Sequence, residues 1–227
     1  MTGTSAQLTS NKPYGAFAPV RNLTIAASVL FLLPGLAAAE VRILAFGDSL
    51  TQGYGLPDGE GFVPQMEAWL HENGADDAVL VNGGVSGDTT AGGLSRIDWS
   101  LDDSVDGVIV ALGGNDLLRG ISVGTMRENL DGILSAIAER DLPVVLAGLP
   151  APSNYGAEYQ EEFRDLYPSL AEEHGATHYP SFIAAINQDN FRELMQGDGI
   201  HPNADGVSAN VELMGPVVLD LVERARD

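Results

Sequence analysis

Four short apolar runs, at residues 43–46, 78–81, 107–112 and 143–149, each stop at a polar turn rich in glycine or proline. Runs of this length are too short for helices of their own, and apolar residues in unbroken succession suit strands covered on both faces. Helical periodicity fills the intervals: Phe62, Met66, Trp69 and Leu70 share one face over 62–72, and Met126, Leu130, Ile133, Leu134 and Ile137 recur over 123–140. Further helices are expected over about 91–102 and over 159–174, the latter closed by Gly175. A fifth strand is expected at about 177–179, followed by the weakly patterned segment 182–195. The last helix carries Val207, Val211, Met214, Val218 and Leu221 on one stripe, and Gly215-Pro216 is expected to kink or divide it. Strands alternating with helices in this way imply an α/β fold, a three-layer α/β/α sandwich around a mostly parallel five-stranded sheet with right-handed crossovers. The pattern leaves the strand order open, and no repeat or second-domain boundary follows residue 40.

The N-terminal 39 residues have a different character. They contain Lys12 and Arg21 but no acid, an apolar stretch from Leu23 to Leu33, and Ala37-Ala38-Ala39 before Glu40. This is the arrangement of an export signal with a small-residue cleavage site, which gives a signal peptide at 1–39 and a domain at 40–227. A retained membrane helix is the alternative, but Pro34-Gly35 interrupts the apolar stretch near its end. The expected product is periplasmic or secreted, without a stable membrane anchor.

Charge narrows the partners. The chain has 11 Lys and Arg against 32 Asp and Glu, a net charge of −21. Such a charge repels nucleic acid and anionic membranes, so a small neutral or weakly charged substrate is expected. Self-repulsion of this size also predicts stabilisation by screening salt. The absence of cysteine excludes disulfides, thiolate metal sites, a cysteine nucleophile and lipid attachment at an N-terminal cysteine. Nothing in the sequence fixes the oligomeric state.

The turns carry the chemistry. The first strand runs into Gly47-Asp48-Ser49, the second into Gly83-Gly84-Val85-Ser86-Gly87-Asp88, the third into Gly113-Gly114-Asn115-Asp116, and a fourth polar turn holds Asp198-Gly199-Ile200-His201-Pro202. In open α/β sheets the carboxyl ends of the strands form the ligand crevice, so these turns can converge. Acyl transfer requires a nucleophile, a base, a group that orients the base, and donors for an oxyanion. Ser49 fits the nucleophile, His201 the base, and Asp198, three residues earlier, the orienting carboxylate. The backbone N–H groups of Ser49 and Gly87 and the side-chain amide of Asn115 fit the oxyanion hole. No metal or other cofactor is required.

Two other classes compete with this reading. Asp48, Asp88 and Asp116 at strand ends could serve a metal-dependent phosphoesterase, although hydrogen bonding to turn amides is the ordinary role of such acids. A binding protein that keeps the fold without turnover is the second. The other histidines, His71, His174 and His178, lie at helix ends or in a strand and call for no chemistry.

These four turns, in this order, resemble the four sequence blocks of the GDSL (SGNH) hydrolases, in particular the bacterial periplasmic thioesterase/lysophospholipase and arylesterase branch. The resemblance runs from about residue 41 to the final helix. It implies a flavodoxin-like sheet of order 2-1-3-4-5 and gives Ser49, Gly87, Asn115, Asp198 and His201 the roles set out above. It further implies a serine esterase acting on aryl or short to medium acyl esters, with acyl thioesters and lysophospholipids as extensions and a carbohydrate acetylesterase of the same fold as the alternative. In similar enzymes the loops after the third block and the fourth strand shape the acyl site, here Leu117, Leu118, Arg119, Pro150, Ala151 and Tyr155.

Overall fold

The computed structural model describes residues 39–151 and 154–226, together with Ser5 and Gly15. The export segment expected at 1–39 lies outside the described residues, apart from Ser5, Gly15 and Ala39.

Five strands, β1 (Val41–Gly47), β2 (Ala78–Gly84), β3 (Gly107–Ala111), β4 (Val144–Ala147) and β5 (Thr177–Tyr179), form one sheet in the order β2-β1-β3-β4-β5. Every pairing is parallel. Side chains alternate between the two faces along each strand, and because β1, β3 and β4 are covered on both faces they read as continuous apolar runs. Ile43 and Ala45 of β1 join one core, and Leu44 and Phe46 join the other. The first core is completed by α2 (Phe62–Glu72) and α8 (Ala204–Ala225), through residues such as Met66, Leu70, Val211 and Val218. The second is completed by α3 (Thr90–Ser100), α5 (Val123–Ala138) and α6 (Ala157–His174), through Ile97, Leu130, Ile133 and Phe163. The result is a sandwich of three layers.

Side chains mark the helix starts. Thr89 accepts the Gly92 N–H, Ser122 that of Thr125, and Asn203 that of Gly206, each satisfying an N–H that the first helical turn leaves free.

Three departures from the sequence pattern are physical. β2 continues through Gly83 and Gly84 because both pair with the end of β1, at Phe46 and Gly47. Asn115 lies not in a plain turn but in a short helix, α4 (Gly114–Leu118). The expected division of the last helix does not occur, since α8 runs unbroken for 22 residues. Pro216 lies on its exposed side, where water can satisfy the carbonyl that lacks an N–H partner. Gly215 faces inward, where a Cβ would lie 2.6 Å from three ring atoms of Trp69. Glycine at 215 thus allows α2 to lie close against α8.

The order of the strands positions the site. The chain passes from β1 to β2 on one side and then crosses back to β3 on the other. Beyond the carboxyl ends of β1 and β3 the connections therefore diverge, and a crevice opens there.

Candidate active site

Ser49 is the first residue of α1 (Ser49–Gln52), a single turn that follows β1 directly. Asp48 caps this turn by accepting the Leu50 N–H at 3.0 Å, and Gly53, at φ 86°, ends it. A left-handed residue is needed there, and glycine adopts that conformation without steric penalty.

His201 and Asp198 come from the loop between α7 (Phe191–Leu194) and α8. An isolated antiparallel bridge between Met195 and Pro202 closes this loop. The Gln196 side chain ties it to the carbonyl of Tyr54 at 2.8 Å. Within the loop one Asp198 oxygen accepts the N–H groups of Ile200 and His201, at 2.9 and 3.1 Å. The other oxygen lies 2.6 Å from His201 Nδ1, and His201 Nε2 lies 2.9 Å from Ser49 Oγ. The Asp198 carboxylate fixes the tautomer: Nδ1–H donates to it, which leaves Nε2 to accept the serine hydroxyl. The bond to the His201 ring, with help from the two backbone N–H groups, holds the Asp198 carboxyl down at about 2. It is therefore ionised wherever the protein is folded near neutrality.

Gly87, at φ 85°, lies in the loop after β2. Its neighbour Ser86 is tied to Gln52 of α1, whose side-chain oxygen accepts the Ser86 N–H at 3.2 Å and the Ser86 hydroxyl. Arg119 donates to the Gly87 carbonyl at 2.9 Å. Asn115 Nδ2 donates to Asp48 Oδ2 at 3.2 Å, which orients the amide and leaves its second N–H uncommitted among the described residues. Asp48 is buried, and that burial lifts its carboxyl to about 6, against the opposing pull of the Leu50 and Asn115 hydrogen bonds.

The acids at the strand ends are engaged with protein donors. Asp116 is fully buried and accepts from both the backbone N–H and the hydroxyl of Thr90, at 2.8 and 2.6 Å. Asp88 pairs with Arg96 at 2.7 Å. Among the described residues no group of three His, Asp or Glu is arranged to hold a metal ion. His71 and His174 bond to the Ala78 carbonyl and to Asp131, each at 2.8 Å, away from the site.

Ser49, Gly87, Asn115 and His201 line one cavity of about 430 Å³, with Asp198 behind the histidine. Of the residues expected to shape the acyl site, Leu117, Leu118 and Pro150 line it too. Arg119, Ala151 and Tyr155 do not, and Arg119 instead donates to the Gly87 carbonyl. Ala151 faces an adjoining cavity against α6, and the Tyr155 hydroxyl turns back to donate to the Leu117 carbonyl at 2.7 Å while its ring stacks on Tyr159. Leu50, Tyr54, Leu149, Ile183 and Ile200 belong to the lining and were not expected from the sequence. The Tyr54 ring lies 4.7 Å from that of His201, centroid to centroid. An aromatic residue five positions after Ser49 in a glycine-rich loop is the signal that could have drawn attention to it.

The sequence profile of the GDSL-like Lipase/Acylhydrolase family matches residues 45–209. An arylesterase of Vibrio mimicus is 35% identical over 178 residues, 78% of this chain and 88% of the relative. A protein of Escherichia coli named thioesterase 1/protease 1/lysophospholipase L1 is 35% identical over 177 residues, 78% of this chain and 82% of its own. The crystal structure of AlinE4, described as an SGNH-hydrolase family esterase, is 45% identical and superposes with a TM-score of 0.67, covering 80% of this chain and 96% of that one. The family profile spans all four turns, so the chain belongs to the GDSL-like lipase/acylhydrolase family of ester hydrolases.

Proposed function

We propose that the protein is a serine esterase that hydrolyses aryl and short to medium acyl esters, with acyl thioesters and lysophospholipids as further substrates, through an acyl-enzyme on Ser49. The observation that carries the reading is the unbroken chain from Ser49 Oγ to His201 Nε2, 2.9 Å, and from His201 Nδ1 to Asp198 Oδ2, 2.6 Å, opening on a cavity with apolar walls. Ser49 Oγ bonds to the carbonyl carbon as its proton passes to His201 Nε2, and Asp198 stabilises the imidazolium. The carbonyl oxygen takes up the electron pair and is held by the N–H groups of Ser49 and Gly87 and by the Asn115 amide. Collapse of this adduct expels the alcohol, phenol or thiol, which takes the proton from His201. Water then repeats the sequence on the acyl-enzyme, and the acid leaves.

Leu50, Leu117, Leu118, Leu149, Ile183 and Ile200 give the acyl or aryl group an apolar bed, and a cavity of this size suits a small organic ligand. The names of the arylesterase and thioesterase/lysophospholipase relatives support the same substrate classes. The test is hydrolysis of p-nitrophenyl acetate by the purified protein. Activity is expected to fall by about 10³-fold or more in Ser49→Ala and to withstand EDTA. Persistence in that variant together with loss in EDTA overturns the reading. The protein is further proposed to be exported, with N-terminal sequencing of the mature chain expected to begin at Glu40.

A further inference from the structure

Arg96 lies on α3 outside the cavity lining, and its guanidinium joins two of the turns that form the site. Its Nε donates to Asp88 Oδ2 at 2.7 Å, and its Nη2 donates to the Gly47 carbonyl at 2.9 Å. Its guanidinium carbon lies 3.9 Å from the centre of the Phe46 ring. One side chain therefore grips the residue after Gly87 and the residue two before Ser49. A planar fork can hold two acceptors in fixed directions while stacking on a ring, which a lysine ammonium cannot do.

The Gly87 turn needs such a tie. Its backbone closes it with Asp88 N–H to the Val85 carbonyl at 3.1 Å, and Val85 N–H anchors its start to the Gly47 carbonyl at 3.0 Å; beyond Val85, among the described residues, no backbone bond ties Gly87 to β1, and only Arg119 comes within 4 Å of where a Cβ of residue 87 would stand. Three side chains hold it from outside: Gln52 at Ser86, Arg119 at the Gly87 carbonyl, and Arg96 at Asp88. The first two bonds are exposed. The Arg96–Asp88 pair is largely shielded, with 13% and 18% of the two side chains exposed. Water competes least with this third tie, so it does the most to fix the turn.

We propose that Arg96 is a positioning residue for the oxyanion hole: by fastening Asp88 to the end of β1, it holds the Gly87 N–H in register with Ser49. The inference rests on the serine-esterase reading. A donor that meets only the tetrahedral oxyanion affects the transition state and not the bound substrate. Its displacement therefore lowers kcat and leaves KM unchanged. Loss of one such donor outright costs about 10²–10³ in kcat, so a donor displaced but still present should cost about 10- to 100-fold.

The test compares the wild type with R96M, R96K and D88N, using p-nitrophenyl acetate and two inhibitors of equal length. One is a trifluoromethyl ketone, to whose carbonyl carbon Ser49 Oγ adds while its proton passes to His201, leaving an anionic oxygen. The other is an ether that cannot form an adduct. R96M is expected to keep KM within about twofold, to lose about 10- to 100-fold in kcat, and to bind the ketone more weakly by a like factor with ether binding unchanged. R96K and D88N are expected to show the same pattern to a smaller degree, so the idea stays testable should R96M fail to fold. Folded variants with wild-type kcat overturn the role of Arg96. So does equal weakening of ether and ketone, which marks general loosening of the cavity. Turnover that survives in S49A removes the serine reading itself, whereas loss in S49A beside full turnover in R96M removes only the positioning role.

Discussion

Gly84 is the last residue of β2 and lies against the turn that carries Ser49. A Cβ built there would stand 2.8 Å from both the Asp48 carbonyl oxygen and the Gln52 Cα, and closer still to the Gln52 amide nitrogen. Ordinary contact begins at 3.4 Å, so Gly84→Ala opens the gap between β2 and α1 by at least about 0.6 Å, beyond the ~0.5 Å within which a catalytic constellation must be held. All of the obstructing atoms are backbone, which cannot step aside as a flexible side chain can. Overpacking of this kind costs about 1–3 kcal/mol of stability. A nucleophile misplaced by about 1 Å costs about 10²-fold in rate, so kcat for p-nitrophenyl acetate is expected to fall by about 10- to 100-fold. The assay pairs steady-state kinetics with urea unfolding, and Gly124→Ala serves as the control because nothing lies within 4 Å of its Cβ position. A Gly84→Ala protein with wild-type kcat and wild-type stability would refute the claim that this contact seats the serine.

Three further expectations follow from the site and the surface. Burial lifts Asp48 to about 6 from 3.8, so the folded state holds its proton more tightly than the unfolded chain does. Stability should therefore fall by about 3 kcal/mol as pH rises from about 4 to 6; Asp48→Asn should gain on the wild type by up to that amount between pH 4 and 7 in urea titrations, and a pH-independent difference would count against it. The Tyr54 ring against His201 should steady the imidazolium by about 0.5–1 kcal/mol; Tyr54→Ala then loses about two- to fivefold in kcat, and Tyr54→Phe, which keeps the ring, loses little. With a net charge of −21, the melting temperature should climb with NaCl as repulsion is screened, and a flat response would show that the acids are too dispersed to repel one another appreciably.

The layered architecture was legible because β1 and β3 are covered on both faces, which writes an uninterrupted apolar run at 43–46 and again at 107–112. Ser49, Gly87 and Asn115 could be singled out because they lie in polar, glycine-rich turns where strands end, and Asp198 and His201 because a carboxylate three residues before a histidine in a polar turn can reach its ring. Strand order came from resemblance and not from pattern, since the order of pairing leaves no local trace. The last helix was misread because Pro216 signals a break locally, whereas its exposed position and the close packing of Gly215 on Trp69 decide otherwise. Tyr155 was misassigned because an aromatic in a loop gives no sign of direction. In the structure its hydroxyl is held by the Leu117 carbonyl. Ile183 and Arg96 were invisible for a related reason: each acts across a distance in sequence that only the folded chain closes.

The bridge between Met195 and Pro202 has a mechanical corollary. Carboxylate and imidazole ride on one small closed ring of chain, so any excursion of that ring carries both together. Their mutual 2.6 Å bond is then preserved, and what such an excursion changes is the 2.9 Å reach to the hydroxyl across the crevice. In the proposed triad a motion of this ring would act through that gap, so that a bound ligand or a distant mutation could tune the rate without disturbing the tautomer that makes the imidazole a base.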